Sequence, residues 1–343
     1  MDLYGRLADL PVKIEDYQLE ALKSGSSSGF ERHSTVIHLG GSGHEGLGED
    51  VTYDPKDQRL FQEEGLKLDF SGSYTLDGFS KVVATQKLFA KPPAMEAFYN
   101  YRRWAFESAA LSLALKQAGR SLAQVLGFKL RPVNFAVSTR LGKPSSAERI
   151  KQFLALYPDL RFKLDAANDW TDELIAELAA TNSVDTIDLK SFYKGTPVDI
   201  QTDPLLYRRV IEAFPKAWIE DPDVNDTTRP ILEPHADRIT WDAPIHSIKD
   251  IRSMPFPVKA LNIKPSRFGS LKELLNTYEY CNQNNIIMYG GGQFELGHGR
   301  HQIQYLAALF HPMTGNDVAP LGYNLPEVQT DLPLSPLNVR EPF

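Results

Sequence analysis

The sequence predicts a modified, TIM-like (β/α)-barrel that follows a smaller α+β domain. Between positions 161 and 295, apolar runs recur that end in a charged residue, namely Lys163, Asp188, Glu220, Asp242, Lys264 and Glu295. The last five of these are 32, 22, 22 and 31 positions apart, and one parallel strand, a crossover helix and two loops need about that length. Functional groups at the C-terminal ends of successive parallel strands form the catalytic mouth of such a barrel.

The composition is that of an ordinary globular enzyme. The chain has 343 residues, 42% hydrophobic and 24% charged, which suits a barrel with a companion domain. A net charge of −7 without basic clusters argues against a nucleic-acid or membrane-surface partner. The single cysteine, Cys281, excludes an internal disulfide, and no apolar run reaches the roughly 18 residues of a membrane span. No secretory signal is recognisable, so a cytoplasmic location is expected.

Residues 1–131 are expected to form the α+β domain. Segments 11–20 and 32–40 alternate apolar and polar residues and are predicted strands. Good helix formers fill 95–118, which is predicted to be a long helix that ends before a glycine. A second, short helix is predicted at 121–126. Strands followed by helices make this domain distinct from the alternating pattern of the barrel.

A glycine-rich stretch follows the second predicted strand. It contains Gly41-x-Gly43-x-x-Gly46, which matches a dinucleotide-binding fingerprint as a string. Such a loop must open a helix whose N-terminus faces the pyrophosphate, but residues 47–55 have no helical apolar stripe. A turn between antiparallel strands is the favoured interpretation, and a nicotinamide-dependent oxidoreductase is kept as a lesser alternative.

Residues 132–325 are expected to form the catalytic barrel. Segment 133–138 is its first predicted strand and 147–157 the first helix. The other predicted helices are the amphipathic segments 171–180, 204–214, 227–235, 247–253 and 270–282. Prolines follow three of the charged strand ends closely and would turn the chain outward there. The final segment, 326–343, holds four prolines and is predicted to be an irregular surface tail.

Three of the charged strand ends are carboxylates on successive strands, Asp188, Glu220 and Asp242. Gathered in one mouth without partners, they would repel one another and raise each other's pKa. A hard divalent cation removes this repulsion, and carboxylate oxygens suit Mg²⁺ best. A lone carboxylate at a strand end is usually a turn or cap residue, but the joint spacing favours a magnesium site.

Lysines flank this predicted site in the sequence. Lys264 follows on the next strand and Lys163 lies on an earlier one. A partly desolvated lysine near a cation has a lowered pKa and accepts a proton, which suits abstraction of a weakly acidic C–H next to a carboxylate. Glu295, after the Gly290–Gly292 run, is expected to accept a hydrogen bond or to orient Lys264. The alternative for either lysine is a structural salt bridge to the acids.

These motifs resemble the enolase superfamily, in particular its muconate cycloisomerase and o-succinylbenzoate synthase-like branch. The matching strings are Ile-Glu220-Asp-Pro, Trp-Asp242-Ala-Pro, Asn-Ile-Lys264-Pro-Ser and Gly-Gly-Gly-x-x-Glu295. The resemblance covers nearly the whole chain and implies that the three carboxylates bind Mg²⁺ and that Lys264 is an acid or base. It also implies an N-terminal capping domain whose loops near 24–31 and 44–50 close over a small carboxylate substrate.

Two positions depart from that branch. Its members usually carry Lys-x-Lys on the second strand, whereas this chain has Lys163-Leu-Asp165. Residues two apart on a strand share a face, so Asp165 is expected at the reactive position, paired with Lys163. The second departure is Lys190, where Asp188-x-Asn would be usual, and a cation there either weakens metal binding or serves as a second acid. Segment 165–170 also resembles the third-strand motif, but that assignment would leave one predicted strand surplus.

The predicted function is Mg²⁺-dependent removal of the α-proton of a carboxylate, by a lyase or isomerase that forms an enediolate. Because Asp165 replaces a lysine, β-elimination, cycloisomerisation or epimerisation is favoured over two-base racemisation. The alternative is a non-catalytic binding member of the superfamily, in which the changes at Asp165 and Lys190 mark a lost active site. The substrate and homo-oligomer formation are left open by the sequence.

Overall fold

The N-terminal part of the chain is an α+β unit built on a three-stranded antiparallel sheet. The computed structural model describes residues 2–26, 29–65, 69–196 and 199–343. The elements in chain order are α1 (Gly5–Ala8), β1 (Pro11–Ile14), β2 (Asp16–Gly25), β3 (Glu31–Gly41), β4 (His44–Asp50), α2 (Pro55–Glu64), β5 (Gly72–Thr75), α3 (Leu76–Thr85), α4 (Ala97–Ala118) and α5 (Leu122–Leu126). The sheet has the order β2-β3-β4, and β1 pairs with β5. Of the two expected capping loops, residues 27–28 of the first lie outside the described residues, and the second, 44–50, is strand β4 rather than a loop.

The glycine-rich stretch is a two-residue hairpin turn, as predicted. Strands β3 and β4 pair up to Gly41 and His44, and the two residues between them, Ser42 and Gly43, have φ values of 51° and 73°. Positive φ at both positions is typical of the turn that joins strands with the natural twist. The next helix begins only at Pro55, so this loop does not have the geometry of a dinucleotide-binding loop.

Glycines in β4 let the 22-residue helix α4 lie close against the sheet. A Cβ on Gly46 would be 2.2 Å from the carbonyl oxygen of Ala109, and one on Gly48 would be 2.0 Å from that of Ala105. No side chain fits at such distances, so the close approach of strand and helix requires glycine at both positions. The regular spacing of these glycines is therefore explained by packing.

The second part of the chain is a curled sheet of seven parallel strands in sequential order, from β6 to β12. Its elements are β6 (Ala136–Thr139), α6 (Glu148–Leu156), β7 (Arg161–Asp165), α7 (Asp172–Ala180), β8 (Val184–Asp188), α8 (Pro204–Ala213), β9 (Trp218–Glu220), α9 (Arg229–Leu232), a 3-10 helix (Glu233–Arg238), β10 (Ile239–Trp241), α10 (Ile248–Ser253), β11 (Ala260–Ile263), α11 (Pro265–Phe268), α12 (Leu271–Gln283), β12 (Ile287–Gly290), α13 (His298–Phe310) and a second 3-10 helix (Leu321–Asn324). The predicted class, a modified (β/α)-barrel after an α+β domain, is confirmed. Helices α1, α2, α3, α11 and α13 and strand β5 were not predicted, and the predicted strand 11–20 is two strands, β1 and β2, in different sheets.

The barrel strands are short and buried on both faces, and every residue of β10 and β11 is buried. Parallel strands covered by helices read as continuous apolar runs rather than as alternating patterns. Their C-terminal ends fall where the charged residues occur, because β8 ends at Asp188 and β9 at Glu220, while Asp242 and Lys264 directly follow β10 and β11. The charged residues therefore line one end of the sheet.

A short segment without regular strand structure joins the two edges of the sheet. Asn316 forms a parallel bridge with Phe135 next to β6, and Asp317 forms one with Gly291 next to β12. The Asn316 side chain accepts a hydrogen bond of 2.6 Å from the backbone N–H of Gly290 and donates one of 2.9 Å to the carbonyl oxygen of Asn134. One buried amide thus bonds to both edges and closes the barrel.

The C-terminal segment 326–343 has no helix or strand but follows the barrel closely. Leu337 forms an antiparallel bridge with Val133, and the tail ends with Phe343 buried against Tyr305 at a ring separation of 6.0 Å. Within the described residues, no helix combines the length and the apolar character that crossing a bilayer requires.

Replacing Asn316 with alanine is expected to destabilise the protein by about 3 kcal/mol, since the change removes the partner of the buried Gly290 N–H and of His311 Nδ1, at about 1–3 kcal/mol each. Urea unfolding followed by circular dichroism measures this free energy. Asn282→Ala, at an exposed position of α12, is the control and should change it by less than about 0.5 kcal/mol. Equal stability of both variants would show that the barrel does not need this amide.

Candidate metal centre and active site

Three acids stand at the C-terminal ends of neighbouring strands. Asp188 and Glu220 lie opposite each other in the register of β8 and β9, and Asp242 follows β10 directly. One oxygen of each carboxylate lies within 4.8 Å of the other two, and all three side chains are fully buried. The structure therefore brings together the three residues that the sequence predicted as metal ligands.

Lys163 supplies the first buried counter-charge. Its ammonium group forms an ion pair with Glu220 and lies 3.3 Å from Asp188 and 3.6 Å from Asp317. Burial disfavours the charged amine, but Glu220 and Asp188 outweigh this effect and raise the pKa of Lys163 well above its ordinary value. Lys163 is therefore held as a cation among the acids. This is the structural salt bridge that the sequence analysis gave as the alternative to a catalytic role.

Asp165 and Lys190 form an ion pair beside the first acid of the group. The ammonium of Lys190 contacts Asp188 and lies 3.1 Å from Asp165, whose other oxygen accepts a hydrogen bond of 2.9 Å from Arg140. The expected pairing of Asp165 with Lys163 is not formed, because Asp165 and Asp188 are register partners and bring Lys190 alongside. The two departures from the superfamily pattern are thus one feature, an ion pair between Asp165 on one strand and Lys190 after the neighbouring strand.

Two cations hold Asp242. Lys264 Nζ is 2.9 Å from Oδ2, and a terminal nitrogen of Arg267 is 2.8 Å from Oδ1. The other terminal nitrogen of Arg267 donates to the Tyr193 hydroxyl at 2.9 Å. Burial acts to lower the pKa of Lys264, as the sequence argument expected, but Asp242 outweighs burial and the pKa is raised.

Glu220 is the acid whose ionisation is most opposed. Burial raises its pKa well above the ordinary value, Asp188 and Asp242 raise it further, and Lys163 opposes them only in part. Its second oxygen accepts hydrogen bonds from the Tyr289 hydroxyl and, at 3.5 Å, from the amide of Asn262. Glu220 therefore gains most from an added positive charge.

Asp221 fixes the backbone that carries the third acid. Its two oxygens accept hydrogen bonds of 2.8 Å from the backbone N–H groups of Asp242 and Ala243. Asp221 has a φ of 50°, a conformation that costs energy in a non-glycine residue. Burial, together with Asp242 and Asp188, raises its pKa to about 7. Asp221 is a positioning residue and not a member of the ligand group.

Glu295 is buried close to the site but does not contact Lys264. One of its oxygens accepts a hydrogen bond of 3.0 Å from the backbone N–H of Gln293, and the other has no hydrogen-bond partner among the described residues. Burial raises the pKa of Glu295. The expected orientation of Lys264 by Glu295 is therefore not formed in the structure.

Two buried side chains of the N-terminal domain hold the segment that carries Glu295. Arg32 donates to backbone carbonyl oxygens on both sides of the domain interface, at 2.9 Å to Thr52 and 3.0 Å to Gln293. Glu49 accepts hydrogen bonds of 2.6, 3.0 and 2.9 Å from three backbone N–H groups at the start of α13. A carboxylate is favoured there by the helix dipole. The capping domain therefore fixes this side of the mouth.

Four residues that contact the acids were not found from the sequence, namely Asp221, Asn262, Arg267 and Tyr289. Asp317, which lies 3.6 Å from Lys163, was not found either. Asp221 and Arg267 adjoin two of the predicted strand ends, so their proximity was a usable signal. Tyr289 lies inside β12, and Asp317 lies in the segment that closes the barrel. No spacing pattern points to these two, because only closure of the sheet brings them to the acids.

The donor set fits a divalent metal ion. Mg²⁺ binds hard carboxylate oxygens at about 2.0–2.1 Å, so oxygens that already lie within 4.8 Å of one another need only small shifts to share one ion. The ammonium group of Lys163 holds positive charge between two of the acids, which shows that a cation is accommodated there. The three acids therefore form a metal-binding triad.

Comparison with known proteins assigns the family. Two family models match the chain, the N-terminal domain of DUF8230 over residues 5–125 and its C-terminal domain over residues 129–325, both described as domains of unknown function. The chain belongs to this family. A DUF8230 protein thus combines the α+β domain and the barrel that carries the triad.

Distant relatives connect this family to better-described proteins. A Listeria innocua protein named o-succinylbenzoate synthase is 25% identical over 241 residues, which are 65% of this chain and 62% of that protein, less than two thirds of its length. A solved structure described as an enolase superfamily member, also from Listeria innocua, has a TM-score of 0.68 at 19% identity and covers 90% of this chain and 86% of that one. Muconate lactonizing enzyme from Pseudomonas putida has a TM-score of 0.64 at 18% identity, covering 89% and 88%.

These similarities confirm the resemblance predicted from the sequence. The DUF8230 chain is a distant member of the enolase superfamily, in the branch with muconate lactonizing enzyme and o-succinylbenzoate synthase. At these identities the solved structures establish the fold alone. The roles of individual residues in this chain have to be argued from its own contacts.

Mg²⁺ is expected to raise the melting temperature of the wild-type protein, because an ion that binds only the folded state at 100 times its Kd adds about 2.7 kcal/mol of stability. Differential scanning calorimetry with and without Mg²⁺ measures the shift. Glu220→Gln should abolish it, whereas the control Glu212→Gln, exposed on α8, should keep it. A shift that survives Glu220→Gln would place the ion elsewhere.

Lys190→Met is expected to tighten Mg²⁺ binding by about tenfold or more. The reason is that a buried unit charge about 4 Å away is worth several kcal/mol even at an effective dielectric constant near 20. Isothermal titration calorimetry measures the affinity. Lys194→Met is the control, because Lys194 lies on the same loop with its side chain 74% exposed. Equal affinity in both variants would mean that Lys190 does not compete with the ion.

Proposed function

We propose that this protein is an enzyme that removes the α-proton of a small carboxylate substrate with the help of Mg²⁺, as a lyase or isomerase. The observation that carries the proposal is the buried triad, whose oxygens lie within 4.8 Å of one another, with the amine of Lys264 2.9 Å from Asp242. The names of the relatives support a carboxylate substrate, since o-succinylbenzoate and muconate are both carboxylates.

Asp188, Glu220 and Asp242 would hold Mg²⁺, which when bound supplies positive charge to the carboxylate oxygens of the substrate. Lys163 remains paired with Glu220 and limits the repulsion within the triad. Asp221 keeps the backbone of Asp242 in place through two hydrogen bonds. These groups are all buried, so their electrostatic effects are less screened than they would be in water.

Lys264 is proposed to carry the proton to or from the α-carbon of the substrate. Its side chain is only 8% exposed and is fixed on one carboxylate, Asp242, rather than shared among several. A positioned amine that is shielded from water keeps the proton within the site. Glu295 has no contact with Lys264, so we assign it a lesser role in the proton transfer.

Lys190 gives the site another amine, on a different strand from Lys264. It is held between Asp188 and Asp165, and its ammonium group lies 5.4 Å from the centre of the Tyr193 ring. We therefore assign Asp165 the role of holding Lys190 rather than that of a reacting group. Lys163 stays paired with Glu220, and Lys190 and Lys264 are then two candidate proton carriers at the triad, so epimerisation stays open beside β-elimination and cycloisomerisation.

A non-catalytic binding function is the second candidate, and one observation favours it. Each of the six carboxylate oxygens of the triad already accepts a hydrogen bond or ion pair from the protein. Such a group is stable without an added ion and would serve a binding protein equally well. Chemistry at the α-carbon separates the two candidates, because a binding protein leaves the α-proton in place.

Wild-type protein with Mg²⁺ is expected to exchange the α-proton of at least one carboxylate for deuterium in D₂O. Lys264→Met should lower the exchange rate by at least about 10²-fold, the usual contribution of a positioned acid or base. Proton NMR of a carboxylate panel measures the exchange. The control is Lys259→Met, exposed just before the other end of β11. Equal exchange by Lys264→Met and wild type, or none by wild type across the panel, would contradict the proposal.

A further inference from the structure

Three buried polar atoms on one side of the barrel mouth have no hydrogen-bond partner among the described residues. They are Oδ1 of Asn262, Nε2 of Gln293 and Oε2 of Glu295, and all three side chains are at least 96% buried. A buried polar group without a partner costs about 1–3 kcal/mol, and a native structure normally satisfies such groups with protein, water or ligand. Their occurrence in one region calls for a ligand that supplies the missing bonds.

The glycine run after the seventh strand lies against two of these atoms, Asn262 Oδ1 beside Gly291 and Glu295 Oε2 beside Gly292. A Cβ on Gly291 would be 2.4 Å from Asn262 Oδ1 and 2.8 Å from Lys264 Cε, so both side chains lie against this glycine. Asn262 and Lys264 are two residues apart along β11 and its end, and they share a face. Gln293 directly follows Gly292, where a Cβ would be 2.0 Å from Glu295 Oε2.

Loose packing does not explain the missing partners. The backbone of Gln293 is fixed at both ends, because its N–H donates to Glu295 at 3.0 Å and its carbonyl oxygen accepts from Arg32 at 3.0 Å. Glu49 holds the following residues through three further hydrogen bonds. The segment is therefore rigidly positioned while its side-chain amide is left open.

We propose that Asn262 and Gln293, with Glu295, form a substrate-specificity subsite for a neutral group that both donates and accepts hydrogen bonds. The free atoms are one amide acceptor, one amide donor and one carboxyl oxygen, a set that matches a hydroxyl or an amide substituent of the carboxylate substrate. A hydrocarbon would leave all three atoms unpaired, and a second carboxylate would meet two acceptor oxygens. Asn262 and Gln293 thus select the substrate, while Lys264 and the triad act on it. The inference rests on the proposed function.

The test uses a panel of carboxylic acids that differ only in one substituent: hydroxyl, carboxamide, methyl or a second carboxylate. α-Deuterium exchange gives kcat/KM, and thermal shift with Mg²⁺ gives binding without turnover. A site built to bond a polar group rejects an analogue that lacks it strongly, so we expect the hydroxyl or carboxamide acid to be preferred over the methyl acid by at least about 100-fold. The better of the two identifies the group.

Gln293→Met and Asn262→Leu are each expected to reduce that preference by at least about tenfold, while Gln283→Met, exposed at the end of α12, leaves it unchanged. The melting temperature of Gln293→Met should not fall, because an unpaired buried amide is replaced by an apolar side chain of similar length. A fall of several degrees would mean that the amide has a partner within the protein, which overturns the subsite.

The two proposals fail separately. If the wild type exchanges all four acids without preference, the subsite is overturned and the proposed function stands. If no acid exchanges, the proposed function fails, and the thermal-shift arm still decides the subsite. Tighter binding of the hydroxyl or carboxamide acid than of the methyl acid then supports it, and equal binding, or preference for the second carboxylate, overturns it.

Discussion

Mutual repulsion among three buried carboxylates is the constraint on which the site depends. Asp188, Glu220 and Asp242 lie within 4.8 Å of one another in a part of the protein that excludes water, where like charges interact strongly. Buried cations of the protein reduce this repulsion, since Lys163 and Lys264 each contact at least one of these acids. A metal ion therefore enters a site that is already compensated and has to compete with the ammonium and guanidinium groups around it.

Both domains contribute residues to the mouth of the barrel. The barrel supplies the triad and its cations from the ends of successive strands, whereas the N-terminal domain reaches across with Arg32 and Glu49 to hold the segment after β12. That segment carries both Gln293 and Glu295. The charges of the triad are balanced within the barrel, whereas the segment with Gln293 and Glu295 is held by the N-terminal domain. Substitutions in one of these parts can therefore change the chemistry or the substrate preference without changing the other.

Much of the architecture could be read from the sequence because parallel strands repeat at a spacing set by the crossover helix. The triad was predicted from this spacing, because side chains at the C-terminal ends of successive parallel strands meet at one end of the barrel. The elements that were missed have weaker patterns. Helix α13 follows a glycine-rich segment without a capping side chain, and the segment around Asn316 closes the barrel without forming a regular strand, so neither carries a periodic signal.

By itself, the sequence determined the alternation of strands and helices in most of the barrel, the hairpin at Ser42 and Gly43, and the three acids at successive strand ends. These follow from local rules of spacing and turn chemistry. Only the tertiary structure decided that Asp165 pairs with Lys190 and that Arg267 binds Asp242. It also decided that the side-chain N–H₂ of Gln293 has no hydrogen-bond partner among the described residues. Side-chain partners in a closed barrel come from residues far apart in the chain, and their choice depends on strand register and on the closure of the sheet.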